Sequence, residues 1–99
     1  MNKSFYLIAH MQLKPDADFA DRFAEHARAT RAKPGNLFMY LVRDEKDPTK
    51  FSTMEAWDSF DYFQQHVDDD EHREFAALIK PLFAKDPDER RYELVQGMD

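Results

Sequence analysis

Three groups of residues have the types and spacing to do chemistry. Glu55 and Trp57 stand two apart in an apolar run, so an extended chain puts both side chains on one face. As a pocket wall, Trp57 would stack on a planar ligand while Glu55 oriented it or took a proton. As packing, Trp57 would fill core volume and Glu55 would pair with an arginine such as Arg43 or with backbone. His66, with His72 close behind, falls near the expected C-terminal end of a short helix. A helix C-terminus favours a protonated ring, and a histidine near neutral pKa is a natural general base. A half-buried imidazole satisfied by backbone, and an exposed His72, are the structural alternatives. His10 interrupts an apolar strand. It either points into ligand space or is a buried ring bonded to a neighbour.

His66, Asp68, Asp69, Asp70 and His72 also have the chemistry of metal ligands. Three successive aspartates before a helix are equally what capping and the helix dipole favour. No HxxxH or HxxEH spacing is present, so no metal is expected. Two glycines cannot supply a phosphate-cradling loop or a dinucleotide fingerprint, and there is no nucleophile elbow. No nucleotide, flavin or nicotinamide cofactor is expected. The absence of cysteine removes disulfides, thiolate metal sites and a thiol nucleophile.

The elements that must position these residues follow from periodicity. Residues 4–13 read as a strand, with Phe5, Leu7, Ala9, Met11 and Leu13 on one face and Tyr6, Ile8, His10 and Gln12 on the other. Pro15 and Asp16 open a helix whose positive end suits Asp16, Asp18 and Asp21. Its apolar stripe is Phe19, Ala20, Phe23, Ala24 and Ala27. Arg28, Arg31 and Lys33 suit its negative end, and Pro34-Gly35-Asn36 stops it. Residues 37–44 and 51–57 read as a hairpin around Asp47-Pro48. Asp58 or Ser59 caps a short helix to about Val67. Asp68-x-x-Glu71 resembles a capping box opening another, with Phe75, Leu78, Ile79, Leu82 and Phe83 as its apolar face. Pro81 should kink or end that helix. Residues 90–96 read as a last strand around Tyr92, Leu94 and Val95.

The order β-α-β-β-α-β is the split-βαβ, ferredoxin-like layout of the α+β class, in one domain spanning residues 1–99. Four strands would form one antiparallel sheet with both helical regions on one face. The first two strands are largely apolar on both faces, and no sequence remains to cover the second face. A homodimer packing sheet against sheet is the simplest cover.

Composition narrows the partners. Nine Phe, four Tyr and one Trp imply a core built largely from rings. A formal net charge of −6 with no basic stripe argues against nucleic acid and anionic membranes. The N-terminal apolar run is too interrupted for a signal peptide, and no stretch approaches a membrane span, so a cytoplasmic location is expected.

Several segments resemble the antibiotic biosynthesis monooxygenase family. Lys33-Pro34-Gly35-Asn36-Leu37 is similar to its EPGnl element. Phe51 through Glu55-Ala56-Trp57 is similar to its f-x-x-x-E-x-W segment. Trp57-Asp58-Ser59-Phe60, then His66 and Asp70-Glu71-His72, resembles the helical motif that follows. The resemblance runs over residues 5–95 and fixes the fold better than the reaction. It implies a dimeric α/β barrel, each subunit keeping a pocket between sheet and helices. Several members oxidise phenols, hydroquinones or polyketide-derived aromatics with O2 and no cofactor. Others degrade haem, isomerise small metabolites or have no known activity.

Carried onto this chain, the resemblance implies a small aromatic substrate and O2. His66, or alternatively His10, would be the base and Glu55 would orient a hydroxyl. Trp57, Phe38 and Tyr40 would form aromatic walls, with Met54, Phe63 and His72 also contacting substrate. Haem-degrading members carry an asparagine on the first strand near His10, a departure that argues against haem. A non-oxidative, isomerase-like enzyme, or a dimeric ligand-binding module, is the alternative.

Overall fold

A computed structural model describes residues 3–15 and 17–97. Its elements are β1 (Phe5–Gln12), α1 (Phe19–Arg31), β2 (Asn36–Arg43), β3 (Lys50–Trp57), α2 (Phe60–Asp68), α3 (Asp70–Ile79), a 3-10 turn (Lys80–Leu82) and β4 (Asp88–Tyr92). The strands form one antiparallel sheet in the order β2-β3-β1-β4. This is the expected ferredoxin-like β-α-β-β-α-β arrangement, its second helical region in two pieces.

Period two assigns the faces. Leu7, Ala9 and Met11 of β1 are buried beneath the helices, as are Met39 of β2 and Phe51, Thr53 and Glu55 of β3. Phe19 and Phe23 of α1 and Ile79 of α3 close the core over Met11, Leu13, Met39 and Phe51. The Phe19 ring lies 5.3 Å from Phe51 and 5.6 Å from Phe23, distances at which aromatic pairs add to simple burial.

No helix among the described residues covers the other sheet face. The register lines up Tyr40, Met54 and Ile8 in one row and Val42, Ser52 and His10 in the next. Tyr40 is 55% exposed there, and Phe38 stacks on it at 5.1 Å.

Local chemistry sets the boundaries. Ser59, rather than Asp58, caps α2, its hydroxyl accepting from the Tyr62 amide at 3.4 Å. The cap of α3 is Asp69, one residue later than the Asp68 motif suggests; its carboxylate accepts from the His72 amide at 2.9 Å. Asp69 is extended (φ −83°, ψ 161°), which breaks the helical path between α2 and α3. Pro81 ends α3: the helix stops at Ile79 and a 3-10 turn follows. The first helix begins at Phe19 after Asp18; Asp16 lies outside the described residues.

The last strand corrects the sequence expectation. It spans Asp88–Tyr92, and Leu94 and Val95, expected inside it, are exposed, Val95 by 92%. Its residues are Asp-Glu-Arg-Arg-Tyr, an edge strand held by backbone pairing to β1 with no apolar alternation to announce it.

Candidate active site

The site gathers where β3, the end of α2 and the start of α3 meet the C-terminal half of α1. Trp57 closes β3 and is 0% exposed. Its indole N–H donates to Glu55 Oε1 at 2.9 Å, across the two-residue step that puts both side chains on the helix side. Its ring stacks on His66 at 4.9 Å and meets Phe63 edge-on at 6.3 Å. Trp57 is thus a platform beneath Glu55 and His66.

A cavity of about 780 Å3 lies between sheet and helices. Leu7, Met39 and Phe75 give it apolar walls, Glu55 and His66 its polar depth, and Lys85 and Arg91 a charged rim. That volume suits a drug-sized ligand in a mostly apolar cleft with a few placed polar groups.

Glu55 is 7% exposed. Burial pushes its carboxyl up to about 7, against the lowering effect of the Trp57 hydrogen bond. It does not pair with Arg43, whose guanidinium instead lies over the Phe51 ring at 5.2 Å. Glu55 Oε2 has no hydrogen-bond partner among the described residues. No fully enclosed side-chain polar atom there lacks one, so Oε2 opens to the cavity that Glu55 lines.

His66 is 3% exposed and held neutral. Burial, then the Lys33 ammonium, then the neighbouring imidazoles, push it down to about 3. Lys33 Nζ donates to His66 Nδ1 at 2.8 Å, to Asp69 at 2.9 Å and to Glu71 Oε1 at 2.6 Å. Glu71 Oε2 accepts from His26 Nδ1 at 2.7 Å. Burial raises the Glu71 carboxyl, but the bonds from Lys33 and His26 outweigh it and hold it below the usual range. His26 stacks face to face on Phe75 at 3.9 Å, and His72 meets His66 edge-on at 4.6 Å. Burial lowers both His26 and His72.

Ligand atoms of His66, Asp69 and Glu71 lie within 4.8 Å of one another, a spacing compatible with a metal. Lys33 Nζ contacts all three, so a protein ammonium already supplies the cation this cluster attracts. Asp68 and Asp70 are not part of it: Asp68 bonds Gln64 and Asp70 bonds Arg73, both at the surface.

The expected site residues divide between the two sheet faces. Glu55, Trp57, Phe63, His66 and His72 come together on the helix side. His10, Phe38, Tyr40 and Met54 lie on the opposite face and do not line the cavity. His10 is exposed and bonded through Nδ1 to Ser52 Oγ at 2.8 Å, so it cannot serve a substrate beside His66. Trp57 does not meet the cavity directly; it acts through Glu55 and His66.

The sequence motifs leave out His26, and they offer Lys33 as a helix-end charge and as the first residue of the Lys33–Leu37 element, without a role in the site. One signal was available: Phe23, His26, Ala27 and Thr30 repeat at helical spacing and are all buried.

The antibiotic biosynthesis monooxygenase family pattern matches residues 4–78, and the chain belongs to that family. No curated protein matches the sequence. Among solved structures, a provisionally named antibiotic biosynthesis monooxygenase of Nitrosomonas europaea superposes with a TM-score of 0.90 at 16% identity, covering 96% of this chain and 93% of that one. A protein described as an antibiotic biosynthesis monooxygenase is 26% identical, with a TM-score of 0.86 over 93% of this chain and 99% of its own. SnoaB of Streptomyces nogalater, described as a cofactor-independent oxygenase, has a TM-score of 0.88 at 15% identity, with 97% of each chain covered.

Proposed function

We propose that this chain is a monooxygenase that oxidises a small phenolic, quinol or polyketide-like aromatic with O2 in the cavity between sheet and helices. The observation that carries this reading is Glu55, a buried carboxyl with one oxygen open to an aromatic cavity and a proton affinity brought near neutrality. Family membership and the oxygenase description of SnoaB support the oxidative direction.

The chemistry needs a base, an apolar enclosure and little water. Glu55 Oε2 takes a proton from an acidic carbon or hydroxyl of the substrate. The resulting anion gives one electron to O2, and the radical pair combines to a peroxide anion. Protonation of the peroxide and loss of water leave a carbonyl, so that CH2 and O2 become C=O and H2O. Glu55 replaces His66 as the base, because the Lys33 bond occupies Nδ1 of His66 and the ring is held neutral.

Nucleotide, flavin and metal play no part in this scheme. The bare sheet face supports a homodimer packed sheet on sheet, with Phe38, Tyr40 and Met54 serving that contact instead of the substrate. A base opening to an enclosed apolar cavity also fits an isomerase, which would move the same proton without O2.

Oxygen uptake by the purified protein over a panel of hydroquinones, catechols and anthrone-like phenols tests the reading. Uptake above autoxidation that is lost in Glu55→Gln supports it. Substrate conversion without uptake identifies the isomerase instead.

A further inference from the structure

Lys33, His66 and the cavity imply more than a reassigned base. A lysine ammonium has three donors and no acceptor. Lys33 Nζ places those donors on His66 Nδ1 at 2.8 Å, Asp69 at 2.9 Å and Glu71 Oε1 at 2.6 Å. Nδ1 of His66 must therefore present its lone pair, and the neutral ring must carry its proton on Nε2. Nε2 has no partner among the described residues, where no fully enclosed side-chain nitrogen lacks one, so it faces the cavity that His66 lines.

The neighbouring histidine has the opposite assignment. His26 Nδ1 lies against the Glu71 carboxylate at 2.7 Å, so its proton sits on Nδ1. Glu71 joins the two, one oxygen on Lys33 and the other on His26.

We propose that Lys33 is a positioning residue that fixes His66 as its Nε2–H tautomer, so that His66 offers the cavity a donor for an oxyanion, of the phenolate or enolate class. The tautomer rests on geometry alone; its use on a substrate anion rests on the function proposed above. Glu55 and His66 then divide the work. Glu55 removes the proton and becomes neutral, and the Nε2–H holds the negative oxygen left behind. Trp57 keeps the two in one place, bonded to the first and stacked on the second. Donors aimed at developing charge in a water-poor site are a strong source of catalysis.

The titratable groups around the ring are His26 from α1, Lys33 after it, Glu55 beyond Trp57, and Asp69, Glu71 and His72 at the start of α3. Nearest among them is the Lys33 cation, which opposes a second proton on His66 throughout the range where an ordinary histidine titrates, about pH 5 to 8.

Nitrogen-15 NMR of histidine-labelled, ligand-free protein reads the tautomer directly and needs no turnover. His66 is expected to carry one proton, on Nε2, unchanged across that pH range. A proton on Nδ1, or an imidazolium, overturns the proposal. In Lys33→Met the tautomers should mix; an unchanged His66 spectrum removes Lys33 from the role. Should that variant not fold, the wild-type spectrum decides.

The ligand side uses para-nitrophenol, whose absorbance distinguishes phenol from phenolate. Glu55→Gln, a mimic of the protonated base, should bind the phenolate more tightly than wild type. His66→Phe should weaken its binding about tenfold to a hundredfold, the worth of a hydrogen bond to a charged group. Equal phenolate affinity in wild type and His66→Phe overturns the oxyanion role. Correct NMR with no oxygen uptake would leave the donor in place and remove only the oxidative reading.

Discussion

At the scale of single residues, a carboxyl whose proton affinity is raised and an imidazole whose affinity is lowered share one indole platform. Glu55 in the folded chain binds its proton more tightly than in the unfolded chain, about 7 against 4.5. Its contribution to stability is therefore complete below pH 4.5 and is lost as pH rises through about 7. Glu55→Gln keeps the shape and an acceptor for the Trp57 N–H but has no charge to bury. It should match wild type in urea unfolding at pH 4.5 and exceed it by up to about 3 kcal/mol above pH 7. Equal stability at both extremes would show that the carboxylate is not desolvated. Trp57→Phe removes the one hydrogen bond that favours ionised Glu55, so the midpoint of the pH–rate profile should move upward. Glu55, Trp57 and His66 were legible in the sequence because their types are informative and the Glu55–Trp57 spacing is local. Lys33 and His26 were not, since their roles depend on Glu71, which the fold brings to them from far along the chain.

At the scale of elements, three helices each place an imidazole against the others: His26 from α1, His66 from α2 and His72 from α3. All three are lowered, with burial the largest cause. The unfolded chain takes up these protons more readily. Their stabilising effect is present above the ordinary histidine value of 6.5 and is lost as pH falls below it, for His66 toward about 3. In a Glu55→Gln background, which removes the opposing gain from Glu55 over the same range, urea midpoints should therefore fall as pH drops below 6.5, and less steeply once His72→Gln is added. An identical slope in that variant would exclude His72 from the effect. Gly35 is the turn that brings Lys33 to this cluster. It has φ 79°, its carbonyl accepts from the Asp58 amide at 2.7 Å, and an added Cβ would collide with the Tyr62 ring. Gly35→Ala should cost about 2 kcal/mol or more by thermal unfolding, from the left-handed backbone and the collision together. A neutral effect would contradict that geometry. The helices and the hairpin were readable from period and turn residues. β4 was not: its charged residues offer no alternation, and the apolar Leu94 and Val95 beyond it drew the expectation past Tyr92.

At the scale of the molecule, the sheet separates two groups of residues that the sequence alone ran together. Alternation told which residues share a face but not which face meets the helices. His10, Phe38, Tyr40 and Met54 were therefore grouped with the site, although they lie behind it. The bare face, with Tyr40 and Val42 exposed, is expected to pack on a second copy. Light scattering should give twice the 11.8 kDa chain mass. Tyr40→Glu, which buries a charge in that contact, should give monomers with the cavity intact. A monomeric wild type would contradict the packing argument without touching the site.

Oxygen uptake by wild type and Glu55→Gln, followed across pH with one turned-over aromatic substrate, tests Glu55 as the base. Wild-type uptake should rise through about pH 7 as Glu55 ionises, and Glu55→Gln should lose about a hundredfold or more with no such rise. Uptake that Glu55→Gln retains, with the same pH profile, would contradict the account and move the base away from Glu55.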